Sequence, residues 1–255
     1  MNVSELTQRI EAAEAGARIH LPPGRLQGLW VLRQGITLIG AGPEHTIIDA
    51  HGRGAVFVVE AGTADVCLQG MTLTGGNSRA GGAVATHHGA QVTLRDCRFA
   101  HNRASNGRGG AINIQRGSVR LERCELVQNS ASEGGAVFVG EDAQAELRNC
   151  WLAQNSAERG GALAFGDGAR VHIEDTRLEE NEAARTAHHM YTFGDATRRP
   201  QIRLCRVVFG EVSADGPRIV NDSDFEAEIQ LDQTTWPSDS SDTSAKAAKR
   251  KFTLH

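Results

Sequence analysis

Short runs of alternating apolar and polar residues recur along this chain with a period of about 26 residues. The clearest copies begin at Val92, Val119, Ala145 and Val171. Within each copy, positions one, three, six and eight are apolar or small, so two period-two runs are joined by a two-residue corner. A period of this length is typical of a solenoid, in which each repeat forms one coil.

Each repeat continues with two further recurring features, an asparagine and a pair of glycines. The asparagines are Asn102, Asn129, Asn155 and Asn181. The glycine pairs precede an alanine and a third apolar run, and they begin at Gly81, Gly109, Gly134 and Gly160. Asparagine tolerates the left-handed conformation and glycine permits tight chain reversal, so both are predicted at turns. Each repeat is therefore expected to supply three short strands and three turns.

The repeat predicts an all-β fold, a single-stranded right-handed parallel β-helix over residues 17–235. One coil cannot bury its inward row alone, so like residues should stack on like at the strand spacing of about 4.8 Å. Residues 4–15 read as a short amphipathic helix with Leu6, Ile10 and Ala13 on one face. We expect this helix, within residues 1–16, to cap the first coil. Residues 236–255 are polar and are predicted to form a flexible tail.

Two sets of stacked residues follow from this alignment. Cys97, Cys124 and Cys150 should form an inward ladder of core residues rather than metal ligands. Five cysteines without paired close spacing favour reduced thiols. The outward row alternates in charge from coil to coil, which should fix the register of the strands. Its members are Arg95, Glu122, Arg148 and Glu174.

Composition narrows the classes of partner. Aromatic residues make up 5% of the chain against 29 glycines, which favours thin, regular packing. The net charge of −4 is spread along the chain, so no nucleic-acid partner is predicted. No apolar run approaches the roughly 20 residues of a membrane span. The first residues lack the basic and apolar regions of a signal peptide, which predicts a cytoplasmic protein if Met1 is the natural start and an extracellular one if a leader was removed.

Two parts of the chain resemble known β-helix proteins. The pattern Asn-x-Ala followed by Gly-Gly-Ala and an aliphatic residue, as at residues 129–137, resembles the repeat of polymorphic outer-membrane proteins. The opening coils at residues 19–49 are similar to those of the pectate-lyase-like superfamily. The resemblance covers residues 17–232 and implies the β-helix fold. That superfamily holds lyases, hydrolases, epimerases, adhesins and scaffolds, so the resemblance implies no single activity.

His188 and His189 form the sharpest local irregularity. Matching residues 193–195 to residues 165–167 places this pair where a glycine pair is expected, with two extra residues accommodated. With Arg185 and Asp195 nearby in sequence, the histidines are candidates for a general base. The alternative interpretation is a turn that has loosened near the end of the stack. No metal site and no cofactor are predicted, because a lone histidine pair is a poor zinc signal.

Trp151 lies in an outward row with Arg98, Glu125 and Arg177. An aromatic ring among arginine and carboxylate neighbours is one form of a sugar-binding platform. Alternatively, the ring covers the stems of the neighbouring side chains. Phe138, outward on the third strand, is expected to add an exposed apolar spot.

Two functions remain open at this stage. The first is a non-catalytic module that presents its flat sheet faces to a glycan, a protein partner or other copies of itself. The second is a polysaccharide lyase, hydrolase or epimerase with its site on one face. Neither a converging acidic calcium site nor an Asp-Asp pair is visible in the sequence, which favours the first. A groove with converging carboxylate, histidine and arginine side chains would favour the second, and evenly paired charge ladders without a cleft would favour the first.

Overall fold

The chain forms a right-handed parallel β-helix preceded by one short helix, as seen in a computed structural model. The structure describes residues 1–193, 198, 200–210, 219–221, 227–235 and 250–254. The predicted fold class is confirmed.

The helix and strands follow one another in coils. The helix α1 spans Val3–Glu11, and the strands of the first coils are β1 (Arg18–His20), β2 (Gly24–Gln27), β3 (Trp30–Leu32), β4 (Thr37–Ile39), β5 (Thr46–Asp49), β6 (Phe57–Val59), β7 (Val66–Gln69), β8 (Thr72–Thr74), β9 (Asn77–Ala80) and β10 (Val84–Thr86). The central coils contain β11 (Gln91–Arg95), β12 (Arg98–Ala100), β13 (Arg103–Arg108), β14 (Ile112–Ile114), β15 (Ser118–Glu122), β16 (Glu125–Val127), β17 (Ser130–Glu133), β18 (Val137–Val139), β19 (Gln144–Arg148), β20 (Trp151–Ala153), β21 (Ser156–Arg159) and β22 (Leu163–Phe165). The last coils contain β23 (Arg170–Glu174), β24 (Arg177–Glu179), β25 (Glu182–Thr186), β26 (Met190–Thr192), β27 (Gln201–Cys205), β28 (Val208–Phe209), β29 (Ile219–Asn221), β30 (Ala227–Asp232) and β31 (Arg250–Leu254).

These strands stack into four sheets. Sheet A has the order β1-β4-β7-β11-β15-β19-β23-β27-β30-β31, and sheet B has the order β2-β5-β8-β12-β16-β20-β24-β28. Sheet C has the order β29-β26-β22-β18-β14-β10-β6-β3, and sheet D has the order β25-β21-β17-β13-β9. The expectation of three strands per coil is therefore wrong for the central coils, which add a fourth strand in sheet D. The segments of sheet D carry little apolar alternation, so their strand geometry comes from stacking on the neighbouring coils.

The register places like residues on like, as predicted. Val119 lies opposite Val92 and Ala145, and Leu121 lies opposite Leu94 and Leu147. The inward side chains of successive coils form one continuous apolar core. The predicted cysteine ladder is part of it, because Cys97, Cys124 and Cys150 are buried free thiols.

The four asparagines form a buried column. Each of the first three donates its side-chain amide to Oδ1 of the next, at 2.9 to 3.1 Å. The left-handed residue of this turn is the one before the asparagine, which corrects the expectation that asparagine itself adopts that conformation. These preceding residues have φ between +51° and +55°, and they are His101, Gln128, Gln154 and Glu180.

The glycine pairs close the turn between sheets D and C. Gly134 adopts φ +63°, which is a conformation that favours glycine. Its neighbour Gly135 is required for a different reason, because a Cβ there would lie 2.1 Å from the carbonyl oxygen of Gly161 in the next coil. The pair therefore allows both the reversal and the close approach of successive coils.

The helix α1 covers the first coil, as predicted. Leu6, Ile10 and Ala13 are buried against the core, and the indole Nε1 of Trp30 donates a hydrogen bond to Thr7 Oγ1 at 3.0 Å. The helix ends at Glu11 rather than at residue 15. At the other end, most of the predicted tail lies outside the described residues, while strand β31 pairs antiparallel with β30. The proposed domain boundaries stay a prediction.

Candidate functional site

A groove with a volume of about 750 Å³ runs across the outer face of sheet A. It crosses the strands from β11 to β30, so its lining repeats once per coil. Because adjacent strands are about 4.8 Å apart, five strand intervals give the groove a length of roughly 24 Å. This shape suits an extended ligand rather than a compact one.

Two stacked rows of polar side chains line the groove. The row at the start of each strand consists of Gln91, Ser118, Gln144, Arg170 and Gln201. The row two residues further along consists of Thr93, Arg120, Glu146, His172, Arg203 and Gln230. The alternation of the strand directs both rows outward, while the valines and alanines between them face the core.

The charges in the groove are only partly neutralised. Glu146 accepts a hydrogen bond from Arg120 at 2.7 Å and also contacts Arg148 at 2.5 Å. Arg170 and Arg203, by contrast, form no ion pair with another residue in the described part of the chain. Their guanidinium groups are therefore available to a ligand.

A charge ladder borders the groove, as the sequence predicted. Arg95 Nε lies 2.8 Å from Glu122 Oε2, and Arg148 Nε lies 3.5 Å from Glu174 Oε2. Arg206 extends the ladder by one coil, and its hydrogen bonds hold the pKa of Glu174 below its usual range. His172 joins the border, with Nε2 3.7 Å from Glu174 Oε2.

The row of Trp151 lies on sheet B, away from this groove. The register brings Arg98, Glu125, Trp151 and Arg177 together in that order, as predicted. Trp151 is 39% exposed, and its Nε1 donates a hydrogen bond to Glu179 Oε1 at 2.6 Å. Arg177 also pairs with Glu179, so the carboxylate fixes the indole and the guanidinium. The ligand-binding role of this row stays a prediction.

The register of His188 and His189 differs from the expected one. Leu163 lies opposite Met190, so the glycine pair aligns with Ala187 and His188, and the coil holds one extra residue rather than two. Ala187 takes the left-handed position with φ +59°, and His189 occupies the place of the inward Ala162. One-residue bulging between Ala183 and Thr186 accounts for the shift.

Both histidines are buried, with exposures of 6% for His188 and 0% for His189. The backbone amide of Ala183 donates to His188 Nδ1 at 3.2 Å. The side-chain amide of Asn181 lies 3.2 Å from His189 Nδ1, so His189 ends the asparagine column.

The structure describes only one of the other two members of the predicted constellation. Arg185 is exposed and pairs with Glu158 at 3.5 Å, and Asp195 lies outside the described residues. A catalytic role for these four residues stays a prediction.

Phe138 corrects a further expectation, because it is only 3% exposed. The guanidinium of Arg108 lies 4.8 Å from the centroid of its ring, and the ring of Phe193 stacks at 5.9 Å. The prediction that Phe138 points outward was right, but side chains from sheet D and from the end of β26 cover its ring.

Two kinds of feature are absent from the part of the chain that the structure describes. No three His, Cys, Asp or Glu side chains there are placed to hold a metal ion. No helix there has the length and apolar character needed to cross a membrane.

The groove on sheet A is the feature that sequence reasoning missed. The residues of each polar row recur one period apart in the sequence, but the sequence does not show that this face of the sheet is concave. The row of Gln91, Gln144 and Gln201 was the available signal, because amides that recur at the outward position of successive strands have no role in a core.

The fold and the family profile agree. The profile of the family described as "Right handed beta helix region" matches residues 34–194 and 81–223, so the chain belongs to this family. No curated protein matches the sequence.

Several solved structures are similar to this chain at low identity. The catalytic domain of a GH87 α-1,3-glucanase, solved with tetrasaccharides, is 11% identical with a TM-score of 0.49, over 85% of this chain and 54% of that one. The chain thus spans about half the length of the glucanase domain. A polygalacturonase from Erwinia carotovora ssp. carotovora is 12% identical with a TM-score of 0.41, over 93% and 90%. The Azotobacter vinelandii mannuronan C-5 epimerase AlgE4 A-module is 15% identical with a TM-score of 0.38, over 92% and 95%.

Proposed function

We propose that this protein is a glycan-binding β-helix that holds an extended polysaccharide in the groove of sheet A. The single observation that carries the proposal is the pair of polar rows, which present a hydrogen-bonding side chain on every coil along about 24 Å of the groove. A polysaccharide is an extended chain of hydroxyl groups, so it matches a groove whose contacts repeat.

The side chains in the groove suit hydroxyl groups. Each glutamine amide offers both a donor and an acceptor, and the serine and threonine hydroxyls do the same. Arg170 and Arg203 add donors that no carboxylate in the described part of the chain occupies. The paired charges of Arg120 and Glu146 keep the middle of the groove close to neutral.

The strands make the site rigid before the ligand arrives. Gln144 and Arg170 lie directly opposite each other on β19 and β23, and the parallel ladder fixes their separation. A preformed row loses less side-chain and loop entropy on binding than a flexible loop would. Trp151 on sheet B is proposed as a second contact for a glycan long enough to reach it, because its ring is exposed and held by Glu179.

The experiment is a glycan array with the wild-type chain, followed by titration calorimetry with the best polysaccharide. Gln144→Ala and Arg170→Ala should each weaken binding by about tenfold, because each removes hydrogen bonds to the ligand. Arg103→Ala is the matched control, since Arg103 is also an exposed strand arginine without an ion pair among the described residues. Equal affinities for all three variants and the wild type would refute the groove as the site.

A second candidate function is turnover of the bound glycan. The observation that favours it is the meeting of Glu146, His172 and Arg170 on adjacent strands of the groove, with Glu146 directly opposite His172. This convergence is the arrangement expected of an enzyme, whereas the paired charge ladder beside the groove is the one expected of a binding module. An imidazole in this position could accept a proton from a sugar carbon or hydroxyl. Incubation of the best-binding polysaccharide with wild type and His172→Asn, followed by product analysis, tests it. Products that form with the wild type but not with the variant would establish an enzyme. Unchanged polysaccharide would leave glycan binding as the one function proposed.

A further inference from the structure

A second pocket of about 390 Å³ lies where sheets D and C meet, on a different part of the molecule from the groove. Its volume falls within the range of about 300 to 1,000 Å³ that is common for small-ligand sites. Its polar lining includes Arg79, Asn106, Arg108, Asn113, Gln115 and Glu133.

A bulge in strand β13 forms one side of this pocket. Three residues separate Ala104 from Arg108, whereas one residue occupies the same interval in β9 and in β17. Gly107 allows the bulge to lie close to the coil below, because a Cβ there would be 1.8 Å from the carbonyl oxygen of Arg79. Bulges of this kind often redirect side chains beside functional sites.

Asn113 presents an unused acceptor at the pocket. The residue is only 2% exposed, and its Nδ2 donates to the carbonyl oxygen of Arg108 at 3.2 Å. Its Oδ1 accepts no hydrogen bond from any residue in the described part of the chain. A buried acceptor without a donor is costly and uncommon, so the position calls for a donor from outside the chain. The same outward row carries alanine at positions 85 and 164, which shows that the fold itself does not need an amide here.

The pocket also carries excess positive charge. The Arg108 guanidinium lies 4.8 Å and 5.4 Å from the ring centroids of Phe138 and Phe193, and its Nε lies 2.8 Å from Glu133 Oε2. Glu133 is shared with a second arginine, Arg159, at 3.0 Å. Arg79 is exposed and forms no ion pair with another described residue. The guanidinium groups of Arg79 and Arg108 thus line the pocket beside the carboxylate of Glu133.

We propose that this pocket binds a small ligand that carries both an anionic group and a hydroxyl group. The hydroxyl donates to Asn113 Oδ1, and the anionic group accepts from the guanidinium of Arg79. Arginine recognises carboxylates and phosphates alike, so the shared chemistry is a hydroxylated anion. This inference does not depend on the glycan-binding groove, because the two sites share no residue.

The test is calorimetric titration of the full chain with four probes. Gluconate and glucose 6-phosphate are hydroxylated anions of the two kinds, glucose lacks the charge, and acetate lacks the hydroxyl. We expect gluconate, glucose 6-phosphate or both to bind at least tenfold more tightly than glucose and acetate, and whichever binds identifies the anionic group. Asn113→Ala and Arg79→Ala should each reduce that affinity by about tenfold or more.

Arg103→Ala serves again as the exposed-arginine control, and it should leave the affinity unchanged. A thermal melt of each variant shows that it is folded, and Asn113→Ala is expected to fold because alanine is native to its row. The proposal is overturned if neither hydroxylated anion binds, if glucose or acetate binds equally well, or if binding survives both substitutions. Failure of this test leaves the groove unaffected, because Gln144→Ala and Arg170→Ala probe the other face.

Discussion

Asn129 donates both its backbone amide and its side-chain amide to a single atom, Oδ1 of Asn155, at 3.0 Å in each case. Asn155 repeats the arrangement with Asn181, and its own Nδ2 also donates to the carbonyl oxygen of Leu126. The side chain of Asn155 therefore satisfies two backbone groups of the preceding coil and donates to the side chain of Asn181 in the next coil, in a column that is shielded from water. The column links successive coils independently of the strands.

Asn155→Ala should lower the free energy of unfolding by about 3 kcal/mol, because it leaves the buried backbone amide of Asn129 without its acceptor and removes a hydrogen bond to the Leu126 carbonyl. Urea denaturation followed by circular dichroism measures the change. Ser156→Ala is the matched control on the next, exposed residue, and it should stay within about 0.5 kcal/mol of the wild type. An equal loss in both variants would argue against the column as a source of stability.

Gly135→Ala should be more damaging than Gly62→Ala, although only Gly62 has a positive φ. A Cβ at residue 135 would lie 2.1 Å from the carbonyl of Gly161, whereas at residue 62 nothing lies within 4 Å. We expect a loss of about 3 kcal/mol or more for Gly135→Ala, from forced separation of coils, and about 1 kcal/mol for Gly62→Ala, from left-handed strain. Thermal melts of the two variants decide the order, and the reverse order would contradict the stacking argument.

Arg206→Gln should destabilise the protein at neutral pH but not in acid. Hydrogen bonds from Arg206 lower the folded-state pKa of Glu174 and of Asp175. Because those pKa values are depressed relative to the unfolded chain, the stabilisation is complete above the unfolded values, about 4, and is lost as the pH falls through the folded ones.

The measurement for this ladder is the difference in Tm between Arg206→Gln and wild type from pH 7 down to pH 2. The difference should shrink steadily below about pH 4. Arg103→Gln, which removes an arginine without an ion pair among the described residues, should show no such pH dependence. A gap that is constant with pH would mean that Arg206 acts through packing instead.

Two of the inward cysteines, Cys97 and Cys124, should resist alkylation in the native protein. Burial raises the pKa of the Cys97 thiol to about 12 and also raises that of Cys124, so almost no thiolate forms at pH 8. Iodoacetamide treatment with mass spectrometry should leave Cys97 and Cys124 unmodified in buffer, while all five cysteines react in denaturant. Rapid native labelling of Cys97 would show that the core opens at that coil.

The sequence was sufficient to predict the coil, because the inward positions recur at a nearly fixed spacing along the chain. Val92, Leu94, Cys97 and Phe99 are all buried, as their spacing predicted. The charge ladder was predictable for the same reason, since residues one period apart must be neighbours. The strands of sheet D were not predicted, because a segment such as Ser130–Glu133 carries no apolar alternation. It is extended only by pairing with the coils on either side.

The sites were harder to predict, because they depend on shape and on small changes of register. One extra residue before Thr186 moved His189 from the turn to an inward position, which the sequence pattern alone could not distinguish from two extra residues. Phe138 was correctly placed outward, but its cover comes from Arg108, which lies at the end of a bulge. A buried acceptor such as Asn113 Oδ1 becomes apparent only when every neighbour has been placed.

The nearly constant length of the central coils, 26 or 27 residues from Gln91 to Arg170 in sheet A, has a consequence for how this molecule can vary. Ser130 and Ser156 occupy equivalent positions 26 residues apart, and each coil adds one rung to the groove of sheet A. Duplication or loss of one whole repeat would lengthen or shorten the groove by about 4.8 Å while leaving the remaining rungs chemically the same. The length of the groove is thus set by the number of repeats, and evolution can alter that number without redesigning any individual rung.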